Sequence, residues 1–274
     1  MPFWQGSPDL ENLIVYAEAG IGDEIINIRF MKHLKDRGIN AWWYTATQKG
    51  KTNDRPGLSN LFAKNGFPII TDLEEVAHVP NLMWTYSMQL PIYLDLEPKD
   101  LWDQPYLQPC DKLKSSWILT GDKKKVGVRW RGSKHYEQDL RRSYPLKELH
   151  SVLKDFDYDF LSLQKDDGVE ETSDFPGLID ISDKFESIED TFALISNLDF
   201  VITSCTSIAH LASAMGKPTW VIVPILPYHI WAYGDKHSPW YQETTQVFRQ
   251  KKFGKWDETF AEVEKELLAR FPKK

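Results

Sequence analysis

Short apolar runs alternate with amphipathic segments along this chain. The first run, residues 13–17, precedes a loop with two glycines, and apolar residues then recur at helical spacing up to Gly38. The positions on this helical stripe are Ile25, Ile28, Met31 and Leu34. The next apolar run, residues 41–44, predicts a second strand. A strand, a helix and a strand in this order predict a βαβ unit and therefore a parallel sheet.

The pattern starts again in the second half of the chain. Residues 104–125 contain prolines, a glycine and a lysine run without clear periodicity, so we interpret them as a linker. Three further strands are predicted after it, at residues 126–130, 160–163 and 200–203. We therefore expect two α/β domains, residues 1–120 and residues 121–274.

Helix signals separate the later strands. Ser187, with Asp190 three residues further on, is typical of a helix start. A helix from Ile208 to Met215 ends at a Gly-Lys-Pro sequence, and residues 219–223 predict the next strand. A closing amphipathic helix is predicted from one apolar stripe, formed by Trp256, Phe260, Val263, Leu267 and Phe271.

Two loops follow predicted strands at the edge where open parallel sheets bind ligands, which lies outside the carboxyl ends of the strands. They are residues 18–23 and residues 204–207. The second loop combines hydroxyl groups with the free N–H groups of a helix N-terminus, which suits a diphosphate. The alternative is that Thr206 or Ser207 only caps the helix, and that Cys205 is a small buried residue.

Composition narrows the classes of protein to consider. A net charge of −7 argues against broad adhesion to nucleic acid or anionic membranes. The two cysteines match neither a disulfide framework nor a metal-ligand spacing. No apolar run reaches the roughly 18 residues of a membrane span, and the N-terminus lacks a secretion-signal pattern. We expect a cytoplasmic protein without a resident metal or cofactor.

The segment from Asp199 to Val221 resembles the donor-site motif of bacterial glycosyltransferases related to lipopolysaccharide heptosyltransferases, a group often fused to tetratricopeptide repeats. The loop that begins at Gly20, the Pro105-Tyr106-Leu107 segment and the stretch from Val126 to Ser133 resemble the same family in the same order. Further matches are Asp139 with Arg142-Ser143, Ser162-Leu163-Gln164, and Ser238-Pro239-Trp240-Tyr241. The repeats themselves are missing.

This resemblance implies a GT-B fold, in which two Rossmann-like domains face each other across a cleft. It implies that residues 1–120 form the acceptor-side domain and that residues 121–274 form the nucleotide-sugar-binding domain. The sugar is then transferred from a nucleotide-sugar co-substrate without a metal, with inversion at the anomeric carbon. It also implies that Asp23 is the catalytic base and that Thr206, Ser207 and His210 lie at the donor phosphates. Heptosyltransferases have an acidic residue where this chain has Cys205, so the resemblance does not carry ADP-heptose over as the donor.

Side chains near the predicted strand ends complete the set of candidate donor-binding residues. Cations there could neutralise a departing diphosphate in place of a metal. These are Arg129, Arg131 and Lys134 after the 126–130 strand, and Arg142 in the next segment. Gln164 and Lys165 could meet the nucleobase or ribose, and Ser204 and Cys205 belong to the diphosphate loop. The alternative for each of these cations is that it forms a surface ion pair. We expect His210 to be a positioning group rather than a catalytic one.

The acceptor stays open at this point, as a saccharide, lipid or protein hydroxyl. A nucleotide-sugar epimerase or hydrolase would keep the same donor loop without needing an acceptor. A protein that binds nucleotide sugars without catalysis would not depend on Asp23. A transferase that glycosylates a modified nucleic-acid base is a further alternative, against which the acidic net charge counts.

Overall fold

The computed structural model describes residues 1–45, 56–101, 104–135, 139–165, 167–234, 236–241 and 244–270. The chain divides into two compact units, Met1–Cys110 and Asp111–Lys274, which we call unit 1 and unit 2. Residues 111–120, which the sequence analysis places in the first domain, belong to unit 2. The reason is local: Asp111–Ser116 is helical and packs on a helix of unit 2, where the Asn197 side chain donates a hydrogen bond to the Lys114 carbonyl at 2.9 Å.

Unit 1 contains a parallel sheet with the strand order β3-β2-β1-β4. The strands are β1 (Asn12–Tyr16), β2 (Asn40–Tyr44), β3 (Ile69–Ile70) and β4 (Leu82–Tyr86). The helices are α1 (Ile21–Asn27), α2 (Phe30–Asp36), α3 (Pro56–Lys64) and α4 (Leu90–Tyr93), with 3₁₀ turns at Leu73–Val76, Ser87–Gln89 and Pro98–Asp100. The predicted βαβ unit at the start of the chain is confirmed.

The first predicted helix is interrupted between α1 and α2. Arg29 is buried, and its Nε donates to the Ile26 carbonyl at 2.8 Å, the acceptor that a continuous helix would pair with the Phe30 N–H. Met31 and Lys32 instead donate to the carbonyls three residues earlier. The stripe of apolar residues is preserved because the backbone at Ile28 and Arg29 keeps right-handed helical angles.

Unit 2 contains a second parallel sheet, with the order β6-β5-β7-β8-β9. The strands are β5 (Lys125–Arg129), β6 (Asp159–Ser162), β7 (Phe200–Ser204), β8 (Thr219–Val223) and β9 (Thr245–Arg249). The helices are α5 (Asp111–Ser116), α6 (Asp139–Arg142), α7 (Leu146–Leu153), α8 (Ile188–Ser196), α9 (Ser207–Ala214) and α10 (Asp257–Arg270), with 3₁₀ turns at Val169–Asp174, Ser182–Lys184 and His229–Trp231.

The core of unit 2 forms because its central strands are apolar on both faces. Every residue of β7 and of β8 is buried. Helix α10 covers the sheet with the predicted stripe, since Phe260, Val263 and Leu267 are all buried. Phe271, the last member of that stripe, lies outside the described residues. Parallel strands covered on both faces leave only their ends accessible to ligands.

Candidate donor site

The strand order of unit 2 locates its ligand-binding edge. Numbered within the unit, the order is 2-1-3-4-5, so the direction of strand addition reverses between β5 and β7. A doubly wound sheet opens a crevice at this switch point, outside the carboxyl ends of the two strands. Arg129 ends β5 and pairs in register with Thr203 of β7. The loops that follow these two strands are therefore neighbours, and both carry candidate residues.

The loop after β7 leads into the first turn of α9. Ser204, Cys205 and Thr206 are buried, whereas Ser207 is half-buried. Thr206 occupies the N-cap position with an extended backbone, but its side chain makes no capping hydrogen bond. The Thr206 hydroxyl lies 3.4 Å from that of Thr203 instead. Thr206 therefore leaves the first-turn N–H groups of α9 uncapped. A helix N-terminus can bind an anion only if such N–H groups are available to it.

Arg142 extends from α6 across the switch point to this loop. Its Nη1 donates a hydrogen bond to the Cys205 carbonyl at 3.2 Å, and its Nε donates to Asp139 Oδ1 at 2.9 Å. Asp139 is 5% exposed, and its second carboxylate oxygen accepts from the Ser143 hydroxyl at 3.0 Å. Ser143 in turn accepts the Gly132 N–H at 3.2 Å. This chain of hydrogen bonds joins the loop after β5, helix α6 and the diphosphate loop.

Gly132 permits this arrangement because it lacks a side chain. A Cβ at position 132 would overlap the Arg142 guanidinium and the Asp139 carboxylate. Asp139 and Ser143 stand in the sequence prediction only as parts of a motif, and their structural role was missed. No local signal assigns that role, since the Cys205 carbonyl lies 63 residues from Arg142.

Cys205 contributes its backbone rather than a reactive thiol. Burial raises the pKa of the Cys205 thiol to about 11, although the nearby Arg142 opposes that shift. The thiol is therefore protonated and neutral at physiological pH. A nucleophilic role for Cys205 does not fit this environment.

The other candidate cations of this edge hold its loops in place. Arg129 donates through Nε to the Arg131 carbonyl at 3.0 Å and through Nη1 to the Leu163 carbonyl at 2.9 Å. Arg131 forms an ion pair with Glu171. Lys134 is exposed and pairs with Asp167 at 3.0 Å, and the hydrogen bond between them raises the pKa of Lys134. Lys134 therefore forms a surface ion pair, whereas the pair of Arg131 with Glu171 is partly buried. Contact of either cation with the donor stays a prediction.

Gln164 and Lys165 lie at the end of β6 with different surroundings. Gln164 is buried; its Oε1 accepts from the Arg131 N–H at 3.1 Å, and its Nε2 donates to the Asp167 carbonyl at 2.5 Å. Direct contact with a nucleobase would require these hydrogen bonds to be exchanged. Lys165 is exposed, and its Nζ donates to the Phe185 carbonyl at 2.6 Å. Contact between Lys165 and the donor stays a prediction.

His210 lies within α9, one helical turn after the diphosphate loop. It is buried and stacks on Trp231 with ring centroids 5.2 Å apart. Its Nδ1 lies 3.0 Å from the hydroxyl of Tyr241, also a buried residue. These contacts fix α9 against the segment after β8. The role of His210 as a positioning group for the donor stays a prediction.

In unit 1, the corresponding loop follows β1. Asp23 is half-buried near the start of α1, and its Oδ2 accepts the Gly20 N–H at 2.8 Å. Ala19, the residue before Gly20, has a left-handed backbone with φ of 65°. Asp23 therefore stabilises the turn after β1, as a helix-start carboxylate does. Its role as a base stays a prediction.

A cavity of about 840 Å³ lies elsewhere in unit 1. It is lined by residues of α2 and by Ala41 and Trp42 at the amino-terminal end of β2, the opposite end from the ligand edge. The guanidinium of Arg29 in its wall donates to the Leu101 carbonyl and to the Tyr106 hydroxyl, both at 2.9 Å. We assign this cavity no part in the donor site.

Several solved glycosyltransferases have a similar fold. ADP-heptose LPS heptosyltransferase II of E. coli is 15% identical, with a TM-score of 0.58 over 94% of this chain and 98% of that one. A family 9 glycosyl transferase of Veillonella parvula is 13% identical, with a TM-score of 0.61 over 97% and 100%. The iron-containing heptosyltransferase TibC of enterotoxigenic E. coli, in complex with ADP-D-beta-D-heptose, is 13% identical, with a TM-score of 0.60 over 94% and 67%.

No protein-family model matches the sequence, and no curated protein matches it at a significant level. The structural similarities confirm the predicted fold class, which is GT-B with two Rossmann-like α/β units. Within the residues that the structure describes, no helix is long and apolar enough to cross a membrane. The same residues contain no group of three or more histidine, cysteine or acidic side chains suited to a metal ion.

Proposed function

We propose that this chain is a glycosyltransferase that moves a sugar from a nucleotide-sugar donor to an acceptor hydroxyl. The observation that carries the proposal is the position of Arg142, which the buried Asp139 holds at the switch point beside the uncapped first turn of α9. A guanidinium and a helix N-terminus together offer the charge and the N–H donors that a diphosphate requires. The GT-B fold, shared with a protein solved with ADP-heptose, supports a nucleotide sugar as the ligand.

We also propose that transfer proceeds without a metal. In glycosyl transfer the diphosphate leaves with the electron pair of the bond it formed with the anomeric carbon. Arg142 and the α9 dipole would stabilise the negative charge that develops on that group. The neutral thiol of Cys205 stands where the family resemblance places an acidic residue, so we propose a donor sugar other than heptose.

The proposed chemistry is a single displacement. The Asp23 carboxylate takes the proton of the acceptor hydroxyl while that oxygen forms a bond to the anomeric carbon and the bond to the diphosphate breaks. Attack from the face opposite the diphosphate inverts the anomeric configuration. Asp23 is suited to this role because the hydrogen bond from the Gly20 N–H engages one carboxylate oxygen and fixes the side chain.

The test is the release of nucleoside diphosphate from a panel of ADP-, GDP-, UDP- and dTDP-sugars in buffer with EDTA. The panel is run with and without a mixture of methyl glycosides as acceptors. We expect release that depends on the acceptor and continues in EDTA. Release without an acceptor would support the hydrolase alternative, and activity that requires added manganese or magnesium would contradict metal independence. No turnover with any donor would contradict the proposal, and an epimerised sugar without transfer would support the epimerase alternative instead.

A further inference from the structure

A hydrogen bond joins the loop after β1 to the turn after β4. The carboxylate of Glu18, in the loop, accepts the backbone N–H of Met88 at 3.1 Å, across 70 residues of sequence. Met88 is the second residue of the 3₁₀ turn Ser87–Gln89. The two segments are neighbours because β1 and β4 are paired, with Tyr16 in register with Tyr86.

The turn after β4 takes this acceptor from outside its own segment. Its N-cap residue is Tyr86, whose side chain makes no capping hydrogen bond within the described part of the chain. The first N–H groups of a helical turn have no acceptor inside the turn. The half-buried Glu18 supplies one, and a hydrogen bond to a charged acceptor is stronger than one between neutral groups. Glu18 therefore caps a turn that is distant in sequence, as an N-cap side chain caps its own helix.

The loop that Glu18 anchors has an unfavourable backbone at the next residue. Ala19 has φ of 65°, in the left-handed region that residues with a Cβ seldom adopt. Such a conformation persists where the surrounding structure holds it in place. Glu18 fixes the loop on one side of Ala19, and on the other side the Gly20 N–H donates to Asp23 Oδ2 at 2.8 Å. Both hydrogen bonds end on a carboxylate.

Helix α1 packs on the same turn after β4. This helix begins at Ile21, two residues before Asp23. The loop is therefore fixed to Ser87–Gln89 at its start, through Glu18, and at its end, through α1. The position of the Asp23 carboxylate depends on both attachments. A displacement of about 1 Å at a reacting group is enough to slow turnover about hundredfold.

We infer that Glu18 is a positioning residue for the proposed base, Asp23. It holds the loop after β1 through the Met88 N–H and takes no proton itself. This inference rests on the proposed function, because it concerns the base of that reaction. The alternative is that Glu18, the other carboxylate of the loop, is itself the base. The two roles differ in what they require, since positioning needs an acceptor oxygen whereas a base needs the carboxylate.

The experiment compares three variants of the full chain. Glu18→Gln keeps an oxygen that accepts the Met88 N–H and removes the carboxylate, whereas Glu18→Ala removes both. Glu75→Ala is the matched control, because the Glu75 carboxylate also accepts backbone N–H groups in unit 1, those of Thr71 and Asp72 at 3.0 and 2.9 Å. Single-turnover transfer measures the chemical step, and calorimetry measures the affinity for nucleoside diphosphate.

We expect Glu18→Ala to transfer the sugar about tenfold to hundredfold more slowly, as displacement of the base predicts. Its diphosphate affinity should be unchanged, because the proposed diphosphate site lies in unit 2. Glu18→Gln should stay within about threefold of the wild-type rate, since its hydrogen bond loses only the assistance of the charge. Glu75→Ala should transfer like the wild type.

Wild-type transfer by folded Glu18→Ala would overturn the inference. A loss in Glu18→Gln as large as that in Glu18→Ala would also overturn it and would favour Glu18 as the base. Glu18→Gln keeps the test valid if Glu18→Ala does not fold, because the two roles predict opposite results for this variant.

Hydrogen exchange, measured by mass spectrometry, tests the anchor without turnover. The segments that contain Gly20 and Met88 should exchange about tenfold faster in Glu18→Ala than in the wild type and in Glu18→Gln, because opening of the loop exposes both N–H groups. Unchanged exchange in Glu18→Ala would overturn the inference even if transfer slowed.

Failure of this inference is distinguishable from failure of the proposed function. Transfer by the wild type that persists in Glu18→Ala would overturn the positioning role alone. Absence of transfer by the wild type with every donor would overturn the transferase, and the positioning role with it.

Discussion

The Arg142 guanidinium donates a hydrogen bond to the backbone carbonyl of Cys205 at 3.2 Å, across 63 residues of sequence. The two residues follow β5 and β7, the neighbouring strands between which the sheet of unit 2 reverses its direction. Asp139, which is 5% exposed, fixes the same guanidinium from the other side. This relationship places a cation beside the first turn of α9, and the first two predictions depend on it.

The first outcome concerns the charge of Arg142. Arg142→Gln should weaken nucleoside diphosphate binding by about tenfold or more, as loss of a charge-assisted hydrogen bond predicts. Arg141→Gln is the matched control, since Arg141 is the exposed neighbour on α6 and lies against the Phe253 ring instead. Calorimetry measures both affinities. Equal affinity in the two variants would remove Arg142 from the donor site.

The second outcome concerns Gly132, against which the side chains of Arg142 and Asp139 pack closely. Gly132→Ala would place a methyl group where the Arg142 guanidinium and the Asp139 carboxylate lie, so it should displace the guanidinium from Cys205. We expect it to reduce diphosphate affinity about as much as Arg142→Gln does. Ser133→Ala, at the next and exposed position, is the control. Wild-type affinity in a folded Gly132→Ala protein would show that the approach is not required for binding.

Sequence patterns predict the central strands of both units because these strands are short, apolar and bounded by turn residues. The predicted strand 219–223 coincides with β8, each residue of which is buried. Strand β9 was missed because its sequence, TQVFR, contains the buried polar Gln246, whose side chain accepts a hydrogen bond from Arg270 at 2.7 Å. Strand β3 spans only two residues, too few to show a period.

Parts of the candidate site depend on contacts that no local pattern encodes. The loops with Asp23 and Thr206 follow apolar runs, so the sequence places them at strand ends. The internal hydrogen bonds of Gln164 and the link between Asp139 and Arg142 depend on how separate segments pack. The register of the strand ends was missed for the same reason, because the sequence does not reveal that Tyr16 of β1 pairs with Tyr44 of β2 and with Tyr86 of β4.

A third outcome separates the two roles of Asp23. An asparagine can still accept the Gly20 N–H, so Asp23→Asn should keep the turn after β1 while removing the proposed base. Turnover should fall by about 10² or more with little change in donor affinity. Asp23→Ala should in addition lose about 1 kcal/mol of stability.

Single-turnover transfer and the anomer of the product, determined by NMR, check this prediction. Near wild-type transfer by folded Asp23→Asn would remove Asp23 from the mechanism. Retention of configuration would reject single displacement, even if the variant were inactive.

A fourth outcome follows from the raised pKa of Cys205. With a pKa of about 11, only about one thiol in a thousand is ionised at pH 8. Iodoacetamide at that pH should modify the exposed Cys110 and leave Cys205 unmodified in the folded protein. Mass spectrometry reads out both sites, and denatured protein provides the control in which both react. Modification of Cys205 at the rate of Cys110 in native protein would contradict a buried, neutral thiol.

The central claim is that unit 2 binds the diphosphate of a nucleotide sugar through α9 and Arg142. Isothermal titration of ADP, GDP, UDP and dTDP in EDTA tests it most directly, on the wild type and on a Thr206→Ala, Ser207→Ala double variant. We predict that at least one diphosphate binds the wild type and that the double variant binds it more weakly. The melting temperature of the double variant should fall only as far as a loss of about 1 kcal/mol of stability predicts. Absence of binding by every diphosphate, or equal affinity in the folded double variant, would contradict the claim.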